Sequence, residues 1–406
     1  MTPTSPATTV AEHRDRVLSA TTRTPLIRVP LADAVGCVLA EDVVSRWPVP
    51  LFDNSAMDGY AVRGADAADG AVLRVVADVP AGSALDPPIG AGEAVRIMTG
   101  APMPSGADAV VPLEHTDLGT VITADPTAAI TITRAPARGA HIRRLGEDAP
   151  AGAVAVAAGT VLGPWQLSAI ASAGHARVAV HRAPRVAVVS TGSELIDPSG
   201  TPARGQIPES NSILLAAAAR SAGAEVVTVA TIPDDESALA ALLADVEADA
   251  VILSGGASVG AFDVVKAVLD GSGTIEFGPV AIQPGKPQGF GTDDAGRLVF
   301  ALPGNPVSVA VSFEMFVRPA LLATAGRTDI DRPRVTRAAA TGWRCPAGRT
   351  QVLPAVIDTD TVRPATAGGS GSHLVTSLAV AQALAIIPAD TDRVNEGDLV
   401  EVMVLS

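Results

Sequence analysis

Arg185-Val186-Ala187-Val188-Val189-Ser190-Thr191 is an unbroken apolar, β-branched run, followed at once by Gly192-Ser193-Glu194. A short run without polar alternation is what a strand covered on both faces requires, and such strands belong to parallel sheets. The stretch downstream repeats the theme. Ser212–Ser221 reads as an alanine-rich helix, Glu225–Ile232 as a strand and Glu236–Glu247 as a helix. Ala250–Ser254 follows as a strand, Phe262–Leu269 as a helix, Leu298–Leu302 as a strand and Val307–Ala323 as a long apolar helix. Strand and helix alternate through four units, which predicts a parallel, doubly wound sheet.

In such a sheet ligands bind beyond the carboxyl ends of the strands. The first three strands run into Thr191-Gly192-Ser193-Glu194, Pro233-Asp234-Asp235 and Ser254-Gly255-Gly256-Ala257-Ser258-Val259-Gly260. The fourth runs into Pro303-Gly304-Asn305-Pro306, and Gln283-Pro284-Gly285-Lys286-Pro287 lies before it. Of 29 basic residues only Lys266 and Lys286 are lysines, and both belong to this region. Glycines let a backbone approach a phosphate, and helix N–H groups with hydroxyls bind it. The Ser254–Gly260 loop matches neither the Walker pattern nor GxGxxG, so it favours neither an ordinary ATPase nor a nicotinamide enzyme. Asn305 is also placed to cap the helix after it. Asp53, Asp58, Glu147, Asp148, Glu194, Asp234, Asp235 and Asp263 all sit in turn-like sequence and offer hard oxygen ligands of the kind Mg²⁺ takes.

The flanking regions differ. Residues 1–20 read as a tail entering a short amphipathic helix, and Leu31–Glu41 carries helical spacing. Residues 51–149 alternate short β-like runs with Gly/Pro/Asp turns and read as a β-rich insert. Pro164–Ala173 is a Pro-initiated helix, so residues 10–50 and 150–182 are expected to form one discontinuous domain around the insert. Residues 183–327 form the sheet domain. Residues 328–406 lose the helices, and Thr336–Trp343, Gln351–Val356, Ala383–Pro388 and Leu399–Leu405 read as strands of a small barrel.

The formal net charge of −14 argues against nucleic-acid binding. Two cysteines, Cys37 and Cys345, cannot build a disulfide framework or a four-cysteine zinc site, and a reducing cytoplasm suits them. The six histidines show no metal-ligand spacing, and no G-x-S-x-G elbow is present. The N-terminus lacks a signal-peptide pattern, and the uncharged stretch 149–176 is broken by glycines and a proline, so no membrane span is expected.

Phe52-Asp53-Asn54-Ser55-Ala56-Met57-Asp58-Gly59-Tyr60-Ala61, which holds the chain's single tyrosine, resembles the signature of the molybdopterin molybdenumtransferase family (the bacterial MoeA proteins and the gephyrin E domain). The resemblance continues in order through Met98–Pro102, Ile142–Asp148, Ser190–Leu195, Ser254–Gly256, Ser258–Gly260, Pro284–Pro287, Ala301–Pro306 and Gly371–His373, and so covers nearly the whole chain. It implies an α/β multidomain protein: a doubly wound, molybdopterin-binding sheet domain, a β-rich insert, an elongated N-terminal domain and a C-terminal small β-barrel. The implied reaction is Mg²⁺-dependent insertion of molybdate into the dithiolene of adenylylated molybdopterin, with release of AMP.

Carried over by position, the resemblance makes Asp58, Asp148, Glu194, Asp263 and Lys286 catalytic, with Asp58, Glu194 and Asp263 toward the metal. Substrate binding falls to Thr99 and Arg143 of the insert, to Thr191, Gly192 and one of Asp234 or Asp235, and to Ser254, Gly255, Gly256, Ser258, Gly260 and Lys266. Pro303, Asn305, Pro306 and Ser372 complete it. A homodimer is implied, whose cleft joins the sheet domain of one subunit to the insert of the other. A molybdopterin adenylyltransferase and molybdenum apoenzymes are the further partners expected. Three positions depart from the family pattern: Gln283 stands where a lysine is common, Ser193 for an aspartate and Leu145 for an arginine. Gln283 removes a charge from the expected anion site, which leaves tungstate open beside molybdate. A non-catalytic scaffold is the alternative from another class, and the retention of Asp58, Asp148, Glu194 and Asp263 together speaks against it. A molybdopterin adenylyltransferase is the third reading, opposed by the full-length insert and barrel.

Overall fold

Arg185–Thr191 lies second in a six-stranded sheet. Glu225–Ile232 runs parallel on one side of it, and Ala250–Ser254 and then Leu298–Leu302 run parallel on the other. The chain therefore reverses its direction of travel across the sheet between Arg185–Thr191 and Ala250–Ser254, and that switch point opens a crevice at their carboxyl ends. The computed structural model describes residues 7–120, 128–255, 264–367 and 369–405. By its internal contacts the chain divides into two units: residues 1–27, 36–40 and 179–406 form the first, and residues 28–35 and 41–178 the second.

The lack of polar alternation in the strands has its reason in the packing. Val186, Val188, Ile252 and Phe300 face a core shared with Leu215 and Ala219 of the helix Asn211–Ser221. Ala187, Val189, Val251, Leu253 and Val299 face a second core with Leu239, Leu243 and Val265. Each fully buried Val, Leu or Ile contributes about 1.5–3 kcal/mol, so both faces must be apolar.

The sheet is not wholly parallel. Pro287–Thr292 adds antiparallel to Leu298–Leu302, and Glu276–Pro279 adds antiparallel to that. Neither segment carries a clear strand signal in sequence, because glycine is depleted in strands. Here Gly289 and Gly291 are needed for close approach. A Cβ on Gly289 would lie 2.6 Å from the Phe277 ring, and one on Gly291 would lie 2.5 Å from the Thr274 carbonyl oxygen.

The long apolar helix spans Pro306–Thr324, with a π-helical turn over Phe313–Val317. Pro319 has no N–H to continue an α-ladder, and the turn falls immediately before Arg318-Pro319. The segment is long and apolar enough to cross a membrane, but 78 % of its most apolar window is buried, and it serves as a core helix. Five strands, Arg334–Ala339, Thr350–Ile357, Thr361–Pro364, Ala383–Ile387 and Leu399–Val404, each pair with two of the others and close a barrel. The strand Ile282–Gln283 attaches to it, with Gln283 opposite Gln351.

The first helix, Val10–Ser19, starts in a capping box: Thr9 Oγ1 accepts from Glu12 N–H, and Glu12 Oε2 accepts from Thr9 N–H. It buries His13 edge-on against Phe316, with ring centroids 4.6 Å apart. Burial, assisted by the Arg16 charge, pushes His13 down from 6.5 to about 4. A depressed pKa means that the neutral ring is the folded form. Its stabilising contribution is complete above pH 6.5 and is lost as pH falls toward 4. Urea unfolding should therefore show about 2 kcal/mol less stability at pH 5 than at pH 7.5, and His13→Leu should flatten that slope.

In the second unit, Ala109–Pro112, Gly59–Val62, Glu93–Ile97, Val72–Val79 and Ala129–Thr131 form a five-stranded sheet in that spatial order. Pro164–Ser172 is helical, as its sequence predicts. Leu31–Glu41 is not a helix. Only Leu31–Asp33 makes a 3-10 turn; Gly36 takes φ +79°, and Leu39 instead forms an antiparallel bridge with Val180. A glycine in the left-handed region ends helical growth whatever the apolar spacing around it.

Candidate functional site

The crevice at the switch point is a cleft of about 640 Å³. Thr191 and Gly192 end one strand on it, Ser254 and Gly255 end the next, and the Pro303–Pro306 turn ends the third. The approach of these turns is glycine-dependent. Gly255 has φ +94°, and a Cβ there would lie 2.4 Å from the Thr191 carbonyl oxygen. Asn211 braces two of them: its Nδ2 donates to Ser254 Oγ at 2.9 Å and to the Gly304 carbonyl at 2.7 Å. Buried Glu209 accepts from Ser190 Oγ, Ser212 N–H and Ser212 Oγ, fixing the start of that helix to the first strand. Two buried oxygens on the cleft wall, Thr191 Oγ1 and Asn211 Oδ1, have no hydrogen-bond partner among the described residues. A buried polar atom left unpaired costs about 1–3 kcal/mol, so this wall presents polar atoms that the described residues do not satisfy.

The charges in the cleft are unlike on different elements. Glu194 and Asp234 bring carboxylates from the ends of two adjacent strands. Asp234 Oδ2 accepts from Ser193 N–H at 2.9 Å, and Ser193 Oγ accepts from Asp234 N–H at 3.2 Å, so the two turns are laced together. Lys286 and Arg349 supply positive charge, with Gln283 and Ser372 beside them in the lining. Ser372 is held by its carbonyl, which accepts from Val307 N–H at 3.1 Å.

The structure separates the paired aspartates. Asp235 caps the helix Glu236–Asp245 by accepting from Ala238 N–H at 2.9 Å, whereas Asp234 lines the cleft. Asp235→Ala should cost about 1 kcal/mol in thermal unfolding with turnover kept, and Asp234→Ala should do the reverse. Asn305 makes no side-chain cap bond although its helix begins after it, and its exposed side chain belongs to the cleft. Lys266 is not in the cleft lining; it lines a different cavity, with His13, Arg16 and Glu276. Gly256, Ser258, Gly260 and Asp263 lie outside the described residues.

Asp58, Thr99, Arg143 and Asp148 belong to the second unit. There three motifs far apart in sequence converge. Asn54-Ser55 pairs antiparallel with Ile142-Arg143, and Ser55 N–H donates to the Ala101 carbonyl. Asp58 Oδ1 accepts from Thr99 N–H at 2.7 Å and from Thr99 Oγ1 at 2.8 Å. Arg143 and Asp148 are exposed on the partnering loop. Asp53 fastens that loop, accepting from Leu145 N–H at 2.8 Å and from Arg144 at 2.6 Å. The Leu145 N–H hydrogen bond is the main cause that holds the Asp53 carboxyl below its ordinary pKa; desolvation opposes it, and the Arg144 contact adds to it. Tyr60, conspicuous as the single tyrosine, is a core residue, 2 % exposed. Gly59 beside it has no room for a side chain: a Cβ would lie 2.1 Å from the Val111 carbonyl oxygen.

Arg349 and Asn211 were not singled out by sequence. Arg349 precedes a barrel strand, and only the pairing of Ile282–Gln283 with Thr350–Gln351 reveals that it shares a cleft with Lys286. No local signal distinguishes it from the chain's other arginines. Asn211 could have been suspected as a polar residue opening an otherwise alanine-rich helix.

Comparison with known proteins adds the following. Residues 8–174 match the family model for the MoeA N-terminal region (domains I and II), residues 187–323 a probable molybdopterin binding domain, and residues 336–405 the MoeA C-terminal region (domain IV). Molybdopterin molybdenumtransferase 2 of Mycobacterium tuberculosis is 43 % identical over 97 % of this chain and 98 % of its own length. The molybdopterin molybdenumtransferase of Haemophilus influenzae is 34 % identical over 92 % of each chain. A solved molybdopterin biosynthesis MoeA protein of Pyrococcus horikoshii superposes with a TM-score of 0.82 at 32 % identity, covering 98 % of this chain and 99 % of that one.

Proposed function

The chain belongs to the MoeA family of molybdopterin molybdenumtransferases, and from that premise we propose how its own residues carry out the transfer. The enzyme acts in molybdenum cofactor biosynthesis with molybdopterin as its substrate. In our reading the substrate is adenylylated molybdopterin. Molybdate is inserted into its dithiolene, and the pyrophosphate link is hydrolysed to AMP with Mg²⁺ present. The observation that carries this reading is the division of charge in one cleft: carboxylates on the strand ends, cations on Lys286 and Arg349.

Gly255 and the Pro303–Pro306 turn let backbone approach the substrate phosphates, and Ser254 stands beside them, its hydroxyl fixed by Asn211. Lys286 and Arg349 bind the oxyanion, with Ser372 adding a hydroxyl. Among the described residues no group of three or more His, Cys, Asp or Glu side chains forms a ready metal site. The two cleft carboxylates nonetheless fit Mg²⁺, which takes one or two carboxylates and completes its shell with water and substrate phosphate. Glu194 and Asp234 would hold it, and bound there it would offset charge on the pyrophosphate. Asp58, fixed by Thr99, is the acid that the insert contributes.

A homodimer in a reducing cytoplasm is part of the proposal. Its support is exposed apolar side chains on the second unit: Val44 and Val154, direct cross-strand partners, and Trp165, which is 86 % exposed. Clustered exposed apolar side chains mark association surfaces. Sedimentation should give a dimer for the native chain and a monomer for Trp165→Lys.

The functional reading is tested by product. Incubation with adenylylated molybdopterin, molybdate and Mg²⁺ should yield cofactor that activates a molybdenum-free apoenzyme. Tight nucleotide binding without product would favour the scaffold reading.

A further inference from the structure

Arg349 and Ser372 line the cleft, and a chain of part-buried hydrogen bonds runs close to both of them in sequence. Trp343 Nε1–H donates to Gln351 Oε1 at 3.1 Å, and Gln351 Nε2–H donates to Ser370 Oγ at 3.0 Å. Gln351 is 2 % exposed. It stands two residues after Arg349 and directly opposite Gln283 in the strand pair. Ser370 stands two residues before Ser372, whose carbonyl is in turn held by Val307 N–H. The side-chain amide thus spans from the short strand Trp343–Arg344 to the loop that carries Ser372.

We propose that Gln351 is a positioning residue for oxyanion capture. It holds the loop bearing Ser372 at a fixed distance from the strand that Arg349 precedes, and it couples that geometry to the Trp343 indole. The inference rests on the reading that Lys286, Arg349 and Ser372 take the oxyanion. The physical ground is the cost of the alternative. A buried amide is tolerated among apolar surroundings only where both its ends are used, and these two ends join the strand Trp343–Arg344 to the loop whose Ser372 lines the cleft. Fixing those elements before the ligand arrives removes an ordering cost from binding.

The readout is built into the sequence, which has three tryptophans. Protein labelled with 5-fluorotryptophan should give three ¹⁹F resonances, with Trp343 assigned from Trp343→Phe. Titration with molybdate in the presence of AMP should move the Trp343 resonance. Gln351→Met, close in volume but without either hydrogen bond, should suppress that movement. It should also raise the molybdate KM about three- to tenfold, the worth of one or two neutral hydrogen bonds, with kcat at saturating molybdate and AMP affinity unchanged. Ser370→Ala cuts only the last link and should show the same KM effect in a smaller degree, which keeps the test open if Gln351→Met folds poorly. A wild-type molybdate KM and an unaltered Trp343 shift in either folded variant would overturn the proposal. A change in thermal stability with neither effect would also overturn it, because it would make the chain merely structural. The underlying reading fails separately, if Lys286→Ala and Arg349→Ala leave the molybdate KM untouched.

Discussion

Asp58→Asn should leave the protein folded and lower AMP release from adenylylated molybdopterin by about 10²–10³-fold. The structure explains why the two outcomes separate. Thr99 N–H and Thr99 Oγ1 both donate to Asp58 Oδ1. An asparagine can present its carbonyl oxygen to the same donors, so the local turn has no reason to open. What is lost is the charge. Asp58 is half-buried on a loop immediately before the strand Gly59–Val62, whose pairing on both sides holds it rigidly. If Asp58 serves the reaction as proposed, a fixed anion acts without reorganisation, and its removal is felt in the transition state more than in binding. The measurement is single-turnover AMP release beside a circular dichroism melt. An unchanged rate would take Asp58 out of the reaction, and an unfolded variant would make its role structural.

Lys286→Ala should raise the molybdate KM about 10- to 100-fold, because a charge-assisted contact to an anion is worth about 1.5–3 kcal/mol. Lys286 lies in the turn Pro284–Pro287, where Gly285 takes φ +101° and leaves space that a side chain would fill against Ser312 Oγ at 3.1 Å. The backbone therefore sets the position from which the lysine reaches. Gln283 lines the same cleft without charge. Gln283→Lys should move affinity in the opposite direction, tightening molybdate capture. Steady-state KM measurements on both variants, repeated with tungstate, check the pair. A Gln283→Lys enzyme with unchanged or weaker affinity would show that residue 283 is off the oxyanion path.

The sheet domain was legible because its strands carry the simplest signal available. Arg185–Thr191, Ala250–Ser254 and Leu298–Leu302 have the bounds that burial of both faces dictates, and the partly exposed edge strand Glu225–Ile232 shows in its β-branched run. Pro287–Thr292 was not legible, because its glycines answer to the Phe277 ring and the Thr274 carbonyl rather than to strand propensity. Leu31–Glu41 misled in the opposite way, its apolar spacing being served by a turn at Gly36 and a bridge at Leu39. At the candidate site, the turns after each strand pointed to the cleft, but roles within a turn needed coordinates. Asp234 and Asp235 are neighbours of one type, and only the Ala238 N–H contact separates cap from cleft. Lys266 was drawn in by rarity and lies on another cavity. Arg349 was invisible because its neighbour in space, Lys286, is brought to it by a strand pair that spans two domains of the sequence reading.

The central claim is that one chain couples molybdate insertion to loss of the adenylyl group. The most direct test is single-turnover AMP release from adenylylated molybdopterin with Mg²⁺, with and without molybdate. AMP release should depend on molybdate and stop when Mg²⁺ is chelated. AMP release at the same rate without molybdate, or stable retention of the nucleotide with molybdate and Mg²⁺ both present, would contradict it.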